Sequence, residues 1–139
     1  MTMVTPVQYA DASPRVRAVF DDIMTTRGVD DVNDLWKALA AHPPTLERTW
    51  AQVKDVMGPG GRLDPLVKEL VYLAVSATNN CEYCLHSHAA AARAKGMDDE
   101  TFGELMQVVA LANLTNRLAI AYQVPVDERF RTAPPRSPA

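Results

Sequence analysis

The sequence predicts an all-α protein, a helical bundle, and three observations carry that expectation. Ala, Leu, Met, Glu and Arg dominate the periodic segments while strand signals stay weak. Apolar residues recur at the spacing of a helix face. Pro, Gly and Asn punctuate the chain at intervals that suit helices joined by short turns. With 139 residues, 47% hydrophobic and 22% charged, the composition is that of a folded domain with one substantial core. We expect a single domain over residues 1–124 and a Pro-rich mobile tail over 125–139.

Each element follows from local chemistry. Ser13 caps a helix with Pro14 in its first turn, and Gly28 ends it. Val16, Val19, Phe20 and Ile23 give that helix one apolar face. A short helix follows from about Asn33 to Ala41, stopped by "HPP" at 42–44, and a third runs from Thr45 to Met57 before "GPGG". Asp64 and Pro65 open a helix to Thr78 that is apolar nearly all round, suited to a bundle centre or a subunit interface. Asn79 and Asn80 break it, because Asn tolerates left-handed backbone. A helix from Cys81 to about Lys95 stops at Gly96. Asp98 or Asp99 then caps a stretch to about Tyr122, with Asn113 to Asn116 as a candidate break.

Charge and composition exclude several functions. A net charge of -3 with no basic patch argues against a nucleic-acid partner. No stretch approaches the ~20 apolar residues of a membrane helix, and the first residues lack a secretory pattern. A cytoplasmic protein is expected. In a reducing compartment a close cysteine pair points to chemistry rather than to a structural staple.

That pair sits in "NNCEYCLHSHAAAARAKG", residues 79–96, with two of the three histidines. At about 100° per residue, Cys81, Cys84 and His88 share a face within an arc of about 60°, and His86 falls nearly opposite. His86 therefore reads as a surface residue, and His42, before two prolines, as a helix-terminal or loop residue. A helix start stabilises a thiolate, and an imidazole one turn away can take the thiol proton. Cys84 is thus a candidate activated nucleophile and Cys81 its resolving partner. If Asn79 and Asn80 reverse the chain, Glu69 lies level with His88 and can orient it. Glu69 could instead be a structural carboxylate paired with Arg62, Lys68 or a distant arginine. Two other readings of the cysteines stand beside this one. Zinc could be held by Cys81, Cys84 and His88, with Glu69 or water as fourth ligand, or the pair could be small core residues. Haem attachment fails, since Leu85 follows the second cysteine.

Glu69, eleven residues, then "CEYCLHSH" resembles the E-x11-C-x-x-C-x3-H signature of the alkylhydroperoxidase AhpD-like proteins, within the carboxymuconolactone decarboxylase superfamily. "GGRLDPLVKELVYLAVSATNN" and "AAAARAKGMDDE" extend the likeness over roughly residues 35–112. The resemblance implies an AhpD-like helical bundle with C-x-x-C at the N-terminus of a central helix. It also implies a homo-oligomer, a trimer or a multiple of one. The implied activity is reduction of a hydroperoxide, or of a disulfide, with electrons from a dithiol or protein reductant and no cofactor or metal. Cys84 would react with peroxide, Cys81 would form the disulfide, and His88 with Glu69 would relay the proton. The decarboxylases of the superfamily lack the cysteine pair. The chain departs from the best-known members at Tyr83, where they carry a histidine, so no role of that histidine carries over. The alternatives are a non-catalytic or redox-switch oligomeric binding protein on the same fold, or a decarboxylase-like or metal-dependent enzyme.

Overall fold

The computed structural model describes residues 3–131. Among them the chain is helical, without strands: a 3-10 turn at Tyr9–Asp11 precedes α1 (Pro14–Arg27), α2 (Asp34–Leu39), α3 (Pro43–Met57), α4 (Pro65–Thr78), α5 (Glu82–Ala94), α6 (Asp99–Ala121) and α7 (Glu128–Arg131). No helix among these residues is long and apolar enough to cross a membrane. Of the expected tail, residues 125–131 include the single turn α7, and 132–139 lie outside the described residues.

By its contacts the chain divides after Pro65 into two compact units. In the first, Ser13 Oγ accepts from the Val16 N–H and Gly28, at φ 65°, ends α1, as its sequence requires. The apolar face of α1 buries Val16, Phe20 and Ile23 among Val32, Trp36, Leu46 and Trp50. The two Trp rings meet edge to face at 5.4 Å. Asp22 ties α1 to α3, accepting from Trp50 Nε1 at 2.6 Å and from Lys54 Nζ at 2.7 Å. α3 begins at Pro43, two residues before the expected start, because proline suits the first turn of a helix as well as it stops one.

The second unit is built on α4, α5 and α6. Leu73, Ala92 and Met97 are its buried centre, with Leu66, Leu70, Leu85, Ala89, Phe102 and Leu105 packed around them. α4 has two different faces. Glu69, Leu73 and Ser76 are buried, while Val67, Val71 and Val75 are 40 to 53% exposed. α6 runs unbroken through the candidate break. Asn113 donates back to the Val109 carbonyl at 2.9 Å and to Thr78 Oγ1 at 3.1 Å, so its amide is satisfied without leaving the helix.

The joint between α4 and α5 places the cysteines. Asn80 takes the left-handed conformation, φ 57°. The N–H of Asn80 then reaches the Ala77 carbonyl and that of Cys81 reaches Ser76, at 3.3 and 2.9 Å. These two bonds close the last turn of α4 in a Schellman motif. Gly96, at φ 103°, ends α5 in the same way, with Gly96 N–H on Arg93 and Met97 N–H on Ala92. Met97 and Ala92 are both buried, so the chain reversal and the core are one structure.

Candidate active site

Cys81 lies at a double boundary. Its backbone N–H completes the end of α4, and its side chain caps α5, with Sγ accepting from the Cys84 N–H at 3.3 Å. Cys81 is therefore the cap rather than the first helical residue, one position later than the sequence suggests. Cys84 occupies the first turn of α5, where N–H groups lack helical partners and negative charge is favoured. The two cysteines form a disulfide, with Cα atoms 5.3 Å apart. The chain contains no other cysteine.

His88 follows Cys84 by one turn on the same face of α5. Its Nδ1 meets Glu69 Oε2 at 2.7 Å, across the α4–α5 hairpin. The antiparallel arrangement that this contact requires is thus present. Glu69 is 8% exposed and its second oxygen, Oε1, accepts from Lys95 Nζ at 3.0 Å. Burial pushes the Glu69 carboxyl up, but hydrogen bonds from His88 and Lys95 outweigh it, and the group titrates below its ordinary value. Glu69 is held ionised. The Tyr72 ring stacks on the His88 imidazole, with centroids 3.7 Å apart and planes 18° from parallel. The imidazole is thus fixed at its edge by Glu69 and on its face by Tyr72.

Cys81, Cys84, His88 and Glu69 thus fall on one hairpin. His86 and Tyr83 are exposed on α5. His42 precedes α3 in the first unit, its Nδ1 2.8 Å from Thr45 Oγ1. The sequence reading missed Lys95 and Tyr72, because spacing aligns both without naming a partner for either. Tyr72 is three residues after Glu69, and Lys95 seven after His88, so each shares a helix face with a residue already singled out. Glu69 also pairs with Lys95, a partner outside the Arg62, Lys68 and distant arginine of the alternative structural reading. Among the described residues no three His, Cys, Asp or Glu side chains group as metal ligands.

These features define a helical protein with a redox-capable C-x-x-C pair at a helix start. The family model for the carboxymuconolactone decarboxylase family matches residues 44–127. A solved structure similar to this chain is the alkylhydroperoxidase AhpD core from Rhodospirillum rubrum ATCC 11170. It is 51% identical, covers 96% of this chain and 99% of that one, and superposes with a TM-score of 0.92. No curated protein matches the chain. The chain belongs to the carboxymuconolactone decarboxylase family, as an AhpD-like member.

Proposed function

We propose that the protein is a thiol-dependent peroxidase that reduces hydroperoxides through a Cys81–Cys84 dithiol–disulfide couple. One observation carries the reading: the disulfide lies at the start of α5, one helical turn in sequence from a histidine held by a buried carboxylate. With Nδ1 engaged by Glu69, Nε2 of His88 is left to exchange a proton with Cys84. His88 takes the Cys84 proton, and the thiolate attacks one peroxide oxygen. An S–O bond forms as the O–O bond breaks, leaving a sulfenic acid on Cys84. The departing alkoxide recovers the proton from His88 and leaves as the alcohol. The Cys81 sulfur then displaces hydroxide from Cys84, the S–S bond forms, and its thiol proton completes a water molecule. An external dithiol returns two electrons and two protons and leaves as its own disulfide. Similarity to the Rhodospirillum rubrum alkylhydroperoxidase core supports this reading.

Turnover of cumene hydroperoxide or hydrogen peroxide with dithiothreitol as reductant is the test. We expect wild type to turn over and Cys84→Ser to be inactive, with Cys81→Ser forming no intramolecular disulfide and holding a Cys84 sulfenic acid when oxidised without dithiothreitol. Full activity in Cys84→Ser would refute the mechanism. We further propose a homo-oligomer, a trimer or a multiple of one. It is supported by apolar residues left open on α4 and along α6, where Val108, Leu111, Leu114 and Leu118 are 48 to 61% exposed.

A further inference from the structure

The proposed chemistry makes no use of Lys95, yet the lysine is bonded to the carboxylate that orients the base. Lys95 is the residue that closes α5, and its backbone N–H is anchored to Ala92 at 3.0 Å. Seven residues separate it from His88, which places it two turns further on and about 20° away around the helix. Between them on this stripe stands Ala92, fully buried and carrying only a methyl group. Glu69 arrives from α4 and bridges the two, with Oε1 on Lys95 at 3.0 Å and Oε2 on His88 at 2.7 Å.

We propose that Lys95 is a positioning residue of this site: by engaging Oε1 it commits Oε2 to His88 and holds the Glu69–His88 pair in the form that can accept the Cys84 proton. The inference rests on reading His88 as the base for Cys84. A buried carboxylate without a cation beside it is easier to protonate, and a protonated Glu69 no longer orients the imidazole as a carboxylate does. The ammonium opposes uptake of a proton by the pair as a whole. Among the described residues, the groups whose bonds and charge act on Glu69 are His88 and Lys95. From α4 comes Tyr72, stacked on the ring, and from α5 comes Cys84, one turn before it. Past α5, Met97, Phe102 and Leu105 belong to the apolar core around Leu73 and Ala92. Arg93 is engaged by Asp99 at 2.7 Å.

The test is the pH profile of Cys84 alkylation by iodoacetamide, in reduced protein carrying Cys81→Ser so that one thiol remains. Lys95→Met and Lys95→Gln should each move the acid limb of the profile upward by about half to one pH unit. At a pH on that limb this slows alkylation by about 3- to 10-fold. Lys95→Arg, which keeps charge and donor, should restore the wild-type profile. Profiles of Lys95→Met and Lys95→Gln that superimpose on wild type, or that lose rate equally at every pH, overturn the proposal. So does a Lys95→Arg profile that follows Lys95→Met. His88→Asn separates the two readings. If it leaves the profile unchanged, the relay falls and the lysine role with it. If it shifts the limb while Lys95→Met does not move it, the lysine role falls alone.

Discussion

Glu69 offers two oxygens and both are taken, which gives the residue a measurable signature in stability. Its carboxyl titrates lower in the folded protein than in the unfolded chain. The hydrogen bonds it accepts from His88 and Lys95 therefore stabilise the fold fully above the ordinary carboxylate value of about 4.3, and that contribution is lost as pH falls through the lower folded value. Glu69→Gln should unfold more easily than wild type at pH 7, on the order of 2 kcal/mol. The gap should narrow as pH falls below the ordinary carboxylate value. Urea unfolding of the oxidised proteins at several pH values checks this, and a gap that does not vary with pH would contradict it. At this scale four members of the site were legible in the sequence, because Cys, His and an isolated Glu declare their chemistry and helical period aligns them. Lys95 and Tyr72 were not. A lysine at a helix end reads as a solvated cation, and a tyrosine on an apolar helix reads as core. Only the partner across the hairpin gives either one a role.

The joint between α4 and α5 shows what an element boundary contributes. Asn80 must be left-handed for the two Schellman bonds to form, a conformation that costs most L-residues about 1–2 kcal/mol. Asn80→Gly should keep the stability of wild type, whereas Asn80→Val should lose about 1–2 kcal/mol or slightly more. Thermal or urea unfolding of the pair measures it, and equal stabilities would show that the turn does not depend on this residue. The prolines at 14 and 65, the glycines at 28 and 96 and the paired asparagines marked helix limits well, because each acts through its own backbone. Reading failed where one residue type has two uses. Pro43 reads in sequence as a stop and is a start, and Asn113, a candidate break, keeps its side-chain bonds within reach of the helix. Such choices depend on neighbours that local sequence does not name.

At the scale of the whole molecule the open question is what meets the apolar surface of the second unit. The expected all-round apolarity of α4 resolved into a buried face holding Glu69 and Leu73 and an open face of Val67, Val71 and Val75. Equilibrium sedimentation should find a homo-oligomer, and Leu111→Glu with Leu114→Glu should dissociate it. A monomer at tens of micromolar would contradict the proposed assembly. The fold class was legible because composition, period and punctuation all agreed. The division after Pro65 was not, since both units share the same helical signature and differ only in which residues they pack against.

The hairpin has a last consequence, for the order of events in folding. Every residue named in the site, from Glu69 to Lys95, belongs to one uninterrupted stretch of chain turned once at Asn80. Closing so short a loop loses little chain entropy, and contacts this local form early. The site therefore requires no encounter between distant segments, and its parts come together on the timescale of two neighbouring helices docking. The same locality makes the stretch portable: moved as a block onto another helical scaffold, it would carry its cysteines, imidazole, carboxylate and lysine with it.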